Sequence, residues 1–435
     1  MSFFNRFLPL ISTAAAVCIL TGCGSSGDDD LDLSASADDL SNAKAYLPEG
    51  SYADVLKSCI SAQSSGDACN FETLPLIGMD TENPGVDDIM RRLVVSHDWM
   101  GQRFEEVLLT MPDEFLGLFR GVSAIVIDDD IRPAYYTVST AAIYLDANFF
   151  WLSEAEATSV NPKEDPRSSF NDPLAFRALS RYVKDNERAY RYLAPDNYQA
   201  RSLDDIRLLV ASLLLHELAH ANDFFPPARL NTLSLQDQPW SAASAQRGWW
   251  VSTRLTDINA LSSDLMSGIA AVMYLGETPS DAQLALTASD IGAAYEPDGA
   301  ADDYGYSSLR EDAAMLFEEA TMKYFFDLDR DQAFTAAPGP NNSCSEYLVK
   351  WGVRNRFADA HVTARVEFVL SEMLPNVDFS NFFASVPVPK AFVRENDWCE
   401  SLADFAAGSE LQTKSLKDKP YDNASAIELE IAPYR

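Results

Sequence analysis

The sequence predicts an α+β fold, mainly helical, with a small mixed β-sheet ahead of one long helix. Three observations predict it. Two β-branched runs, Val122 to Ile127 and Ala141 to Asp146, have strand character and lie close together in the chain. An amphipathic run opens near Ser202 and places Ile206, Leu209, Val210, Leu213 and Leu214 on one side of a helix. Helical periodicity returns over 257–275 and 309–326, with no internal repeat and no Gly-rich phosphate loop.

The chain has 435 residues, 47% of them hydrophobic, enough for a large core. Its formal net charge of −33 excludes a nucleic-acid partner, because such a face needs clustered Lys and Arg. Strong acidity suits a soluble protein in a salty or extracytoplasmic setting. Arg6 followed by the apolar stretch Phe7 to Leu20 reads as an export signal, too short for a comfortable membrane span. Leu20-Thr21-Gly22-Cys23 then resembles the bacterial lipobox. That resemblance implies cleavage before Cys23, lipidation of Cys23 and a membrane anchor. Gly24, where Asp would imply inner-membrane retention, implies the outer membrane. Four cysteines remain: Cys59, Cys69, Cys344 and Cys399. An even count in an exported chain implies disulfides, and three pairings are open. Cys59 with Cys69 closes a short loop and leaves Cys344 with Cys399. None has zinc-ligand spacing.

In chain order, 1–22 is the signal and 23–45 a Gly-, Ser- and Asp-rich tether. Residues 46–200 hold the disulfide loop, a helix over 87–109 and the sheet. Residues 201–435 are a helical part that forms one unit with them. His97 lies on the apolar stripe of the 87–109 helix and reads as a hydrogen-bonded core histidine rather than a ligand. The two β-branched runs are either cleft strands or ordinary core strands. Asp128-Asp129-Asp130 and Asp327-Leu328-Asp329-Arg330-Asp331 read as solvated loops; the second starts like a Ca²⁺ loop but has Pro338 where the last ligand belongs. Residues 153–201 read as polar, then helical to Tyr192. Ser202 with Asp205 resembles a capping box, and Pro226-Pro227 ends the helix it opens. Trp240, Trp249 and Trp250 read as core.

Late in that helix comes His216-Glu217-Leu218-Ala219-His220. Histidines four apart stack on one helix face, so both imidazoles reach one point. Zn²⁺ accepts such nitrogens, and the Glu after the first His lies beside the metal as a general base. A catalytic zinc needs a third protein ligand. No His follows within Ala221 to Arg229 and no Glu within 230–245, which removes two familiar spacings. Residues 309–326 begin acidic, as a helix N-terminus prefers.

Here Tyr304, Glu311, Asp312 and Ala314 resemble the gluzincin-like metallopeptidases of the lethal-factor type, themselves zincins with an HExxH helix. In that family a Tyr precedes a ligand Glu by seven residues. The resemblance implies a zincin-like fold, Zn²⁺ on His216, His220 and Glu311, Glu217 as catalytic base and Tyr304 as oxyanion donor. Met315 stands where the family often has an acidic residue, so a carboxylate orienting a ligand His is sought in Asp312 or Glu318. Glu318, Glu319, Asp302 and Asp303 remain rival ligands, and His361 and Arg365 candidates to reach the cleft. The expected function is a zinc metallopeptidase on the bacterial envelope acting on peptide or protein; the alternative is a non-catalytic lipoprotein of the same fold that binds or scaffolds envelope partners.

Overall fold

The computed structural model describes residues 38–405 apart from 63, 194, 196, 197 and 340–342. The export signal, Cys23 and most of the tether lie outside the described residues, as does the side chain of Cys344. Two five-stranded sheets flank a set of packed helices.

The first sheet is mixed. It contains β1 (Lys44–Ala45), β2 (Leu93–Val95), β3 (Ala124–Asp128), β4 (Tyr135–Thr137) and β5 (Ala142–Asp146), in spatial order β1-β2-β3-β5-β4. β2, β3 and β5 run parallel; β1 and β4 are antiparallel edges. Strand side chains alternate in direction. Ile125, Ile127, Ile143 and Leu145 therefore join the large core, while Val126, Ala142 and Tyr144 pack on Leu56, Cys59 and Ile60. Those three residues belong to α1 (Ala53–Ile60), and the Cys59–Cys69 disulfide, with Cα atoms 5.2 Å apart, ties α1 to the following loop. Helix α2 (Asp98–Leu108) lines the large core.

Helix α3 (Leu203–Phe224) is the central element. Its first turn is fixed by Asp205 Oδ2, which accepts from the Ser202 backbone N–H at 2.7 Å and the Ser202 hydroxyl at 2.6 Å. From Leu213 to Phe224 no residue is exposed. Then come α4 (Val251–Asn259), α5 (Asp264–Leu275), α6 (Ala288–Tyr295), α7 (Leu309–Phe326) and α8 (Thr363–Met373). α7 packs along α3. Gly121 lets the preceding turn lie on α3; a Cβ there would meet the Ala221 carbonyl oxygen at 2.7 Å.

The second sheet is antiparallel, in order β10-β9-β8-β6-β7: β6 (Phe176–Lys184), β7 (Glu187–Arg188), β8 (Asp329–Ala336), β9 (Val349–Arg354) and β10 (Lys390–Ala391). Because β6 pairs with β8, its hydrogen bonds run across residue 200 and join the two expected parts.

Several expectations change. The helix expected over 87–109 is broken: Val86–Met90 is a short helix, Leu93-Val94-Val95 is a strand fed by β-branched residues, and α2 starts after it. His97 caps α2, with a side chain 38% exposed and bonded to Ser96, so it is not a core histidine. The helix expected up to Tyr192 is the β6–β7 hairpin. Asp185 and Asn186 both take positive φ, 53° and 65°, as a two-residue hairpin turn requires. The helix expected over 257–275 is interrupted at 260–263, where Asp298 accepts from the backbone N–H of Ser262 and Ser263, both at 2.9 Å. Asp329 and Asp331 lie in β8, not a loop, and Asp331 pairs with Arg181 and Arg354. Residues 38–45 are docked on the body: β1 joins the sheet and Ala43 is buried. Trp250 is core, but Trp249 is 48% exposed beneath the Arg229 guanidinium.

At the end of β3, Asp128 is buried and its Oδ2 finds no partner. Burial, aided by the carboxylates of Asp129, Asp130 and Asp38, pushes its pKa from 3.8 to about 6, against the backbone N–H of Asp130. The fold thus holds a proton that the unfolded chain has released, so stability falls as pH rises from about 4 to about 6 and stays lowered above. Asp128→Asn keeps an oxygen for the Asp130 N–H. It is expected to gain roughly 2–3 kcal/mol at pH 7 and little at pH 4, as urea unfolding at the two pH values measures.

Candidate metal centre

The centre is built by two helices and braced by a strand of the second sheet. α3 supplies His216 and His220, whose rings stand 5.0 Å apart and nearly perpendicular. α7 supplies Glu311 from its first turn. The Ser308 hydroxyl caps that turn by accepting the Glu311 N–H at 3.1 Å. The next residue, Asp312, is gripped by both terminal nitrogens of the buried Arg365, which fixes the start of α7 against α8. Glu311 Oε2 then lies 3.0 Å from His216 Nε2 and 3.4 Å from His220 Nε2. One ligand atom from each residue falls within 4.8 Å of the others, and this is the one such group of His, Cys, Asp and Glu among the described residues.

The electrostatics of the group follow from its burial and its close charges. His216 Nδ1 faces Glu318 Oε2 at 3.3 Å. That contact assigns its N–H to Nδ1 and points the Nε2 lone pair at Glu311. Glu311 Oε2 is buried and makes no aligned hydrogen bond. Lone pairs facing one another in a dry site require a cation between them, a proton or a metal. Without a metal, burial alone would lower the His216 pKa, but the Glu311 and Glu318 carboxylates outweigh it and drive it well up. Burial would raise Glu311, but the two imidazoles hold it far below the usual carboxylate range. The donor set of two imidazoles and one carboxylate fits zinc and leaves a position open.

Glu217 is buried at the same point, and its Oε2 has no hydrogen-bond partner. Burial pushes its pKa up, opposed by His216 and His220 and assisted by Glu311 and Glu318. Tyr304 also borders the group. Its ring stacks on His216 at 6.0 Å, and its hydroxyl is within hydrogen-bonding reach of the Glu311 carboxylate. Burial first, and then that carboxylate, raise its pKa, so it keeps its proton and is a donor.

The rival ligands are engaged elsewhere. Glu318 accepts from Tyr182 OH and Ser212 Oγ, both at 2.9 Å, and orients His216. Glu319 accepts from Gln332 at 2.5 Å. Asp302 binds Arg330, Gln332 and the Tyr304 N–H, and Asp303 accepts from Tyr274 OH. Of the two carboxylates weighed for orienting a ligand His, Glu318 does so and Asp312 is taken by Arg365. His361 is exposed, and its backbone N–H donates to Asp359 Oδ1 at 2.9 Å. β3 and β5 are interior strands; the open edge nearest α3 is β4.

Sequence reasoning missed three neighbours. Ser212 stands one helical turn before His216, a spacing that marks it as facing the same way. Tyr182 arrives from β6, and Arg167 from the loop before β6, where it lies within electrostatic reach of Tyr304 and Glu311; no local pattern announces either. Comparison of the chain with protein-family models, with curated proteins and with solved structures finds no match in any of the three.

Proposed function

We propose that this protein is a zinc metallopeptidase of the zincin type, held at the bacterial envelope by a lipid on Cys23 and exposed from the outer membrane to peptide or protein substrates. The observation that carries the reading is the convergence of His216, His220 and Glu311 on one point, with the partnerless carboxylate of Glu217 beside it. A bound zinc ion supplies Lewis acidity toward water and the scissile carbonyl. Glu217 Oε2 takes the proton of the attacking water and carries it to the leaving amine. Its burial suits that exchange, because burial raises the carboxylate's affinity for a proton above its ordinary value. The Tyr304 hydroxyl, protonated and close to Glu311, donates to the developing oxyanion. Glu318 keeps His216 in the tautomer that offers Nε2 to the metal.

The purified chain, never exposed to chelator, is expected to carry one zinc per molecule and to cut unfolded protein or peptide. A chelator should stop the cutting and zinc should restore it. Bound zinc without turnover on either unfolded protein or peptidoglycan would leave a non-catalytic binding lipoprotein; absence of any stoichiometric transition metal would remove both readings.

A further inference from the structure

We propose that Arg167 binds the free α-carboxylate of the substrate, so that the site favours short peptides or the C-terminal end of a chain. The inference rests on the metallopeptidase reading for its substrate class, but the recognition stands on its own geometry. Arg167 lies on the loop that leads from the first sheet to β6. Its Nε and Nη2 donate to Asp165 at 3.0 and 2.8 Å, and its backbone N–H donates to the same carboxylate at 2.9 Å. The side chain is therefore held in one orientation. Among the described residues Asp165 is its one hydrogen-bond acceptor, which uses one edge of the guanidinium and leaves the Nη1–Nη2 edge free. That edge is a planar two-donor fork of the kind that matches a carboxylate.

The fork is partly open to solvent and electrostatically coupled to the metal centre. The Arg167 side chain is 18% exposed, and its guanidinium is within electrostatic reach of both Tyr304 and Glu311. The loop is pinned on that side of the site. Phe170 lies across Gly276 at the end of α5, where a Cβ would come 2.7 Å from its ring. Tyr274, on the same helix, packs edge-on to Tyr304 with ring centres 4.8 Å apart. Arg330 and Arg365, the buried arginines behind the site, are engaged by Asp302 and Asp312.

A chain with 66 acidic and 33 basic residues repels carboxylates at a distance. Salt screens that field beyond about 8 Å, so a fixed guanidinium within contact range decides locally. A peptide with its carboxylate on this fork has its last peptide bonds toward Tyr304 and the zinc ligands. The competing account is that Arg167 only balances the charge of Glu311.

The test is calorimetric binding of N-acetyl-Ala-Phe and its C-terminal amide to the zinc-loaded full chain. The acid is expected to bind roughly tenfold to hundredfold tighter than the amide. Arg167→Ala should erase that preference, and Arg167→Lys should keep part of it. Equal binding of acid and amide by the parent, or a preference that survives in Arg167→Ala, overturns the proposal. Equal binding of the two by the parent decides against the proposal even if the variants misfold, and because zinc itself attracts a carboxylate, an acid preference counts for Arg167 only where Arg167→Ala still binds zinc and loses it. Turnover is scored separately. A clear acid preference that Arg167→Ala loses, with no hydrolysis of any peptide, sinks the hydrolase reading and keeps the carboxylate fork; hydrolysis with equal binding of acid and amide does the reverse.

Discussion

Glu217→Gln is expected to keep one zinc per chain and to lose hydrolysis by roughly 10²–10⁴-fold, the usual worth of a positioned general base. The substitution preserves shape and volume. Glu217 Oε2 makes no hydrogen bond in the fold, so the amide forfeits none there. It also removes a carboxyl whose ionised form burial disfavours, so stability should hold or rise slightly. What the amide cannot do is accept a proton from water. The measurement pairs metal analysis with kcat on an unfolded protein. Cleavage at the parental rate, with zinc in place, would assign the base elsewhere.

The second large effect is expected at Glu318, which is fully buried and meets Tyr182, Ser212 and His216. Glu318→Ala removes the acceptor shared by two hydroxyls and an imidazole N–H in a dry place. Such orphaned groups, with the cavity, cost about 3 kcal/mol or more. The freed His216 is no longer held in one tautomer, and loss of such support typically weakens metal binding tenfold to hundredfold. Glu318→Gln retains one acceptor oxygen and should fall between. Urea unfolding and zinc titration against a competing chelator measure the two effects. A Glu318→Ala protein with parental zinc affinity would show that His216 needs no support from α7.

The parts legible in the sequence are those fixed by local chemistry. Ser202 with Asp205 starts α3, Pro226 and Pro227 stop it, and the four-residue spacing of His216 and His220 follows from helix geometry alone. Residues 309–326 coincide with α7, because Ser308, the acidic first turn and an interior of good helix formers agree. The second sheet was not legible. β6 finds its partner in β8, on the far side of α3 to α7, and pairing over such a distance leaves no short-range mark. The polar residues from Lys184 to Arg188 read as helix because the turn is spelled Asp-Asn rather than Asn-Gly. Glu318 reads in the sequence both as a rival ligand and as a carboxylate to orient a ligand His, but its role depends on Tyr182 and Ser212 arriving from two other elements. Arg167 was hidden for the same reason: its importance comes from where a Pro-rich loop is laid down, not from its own neighbours in the chain.

The imidazoles and the carboxylate of the metal centre ride on helices that are made far apart in time, since α4, α5 and α6 are synthesised between them. A polypeptide interrupted before residue 309 owns two imidazoles and no anionic third donor, so its hold on zinc is that of an ordinary histidine pair. Chemical competence appears only when the last long helix docks on the first. On the proposed reading, an unfinished copy that lacks Glu311 is therefore expected to be inert toward its neighbours.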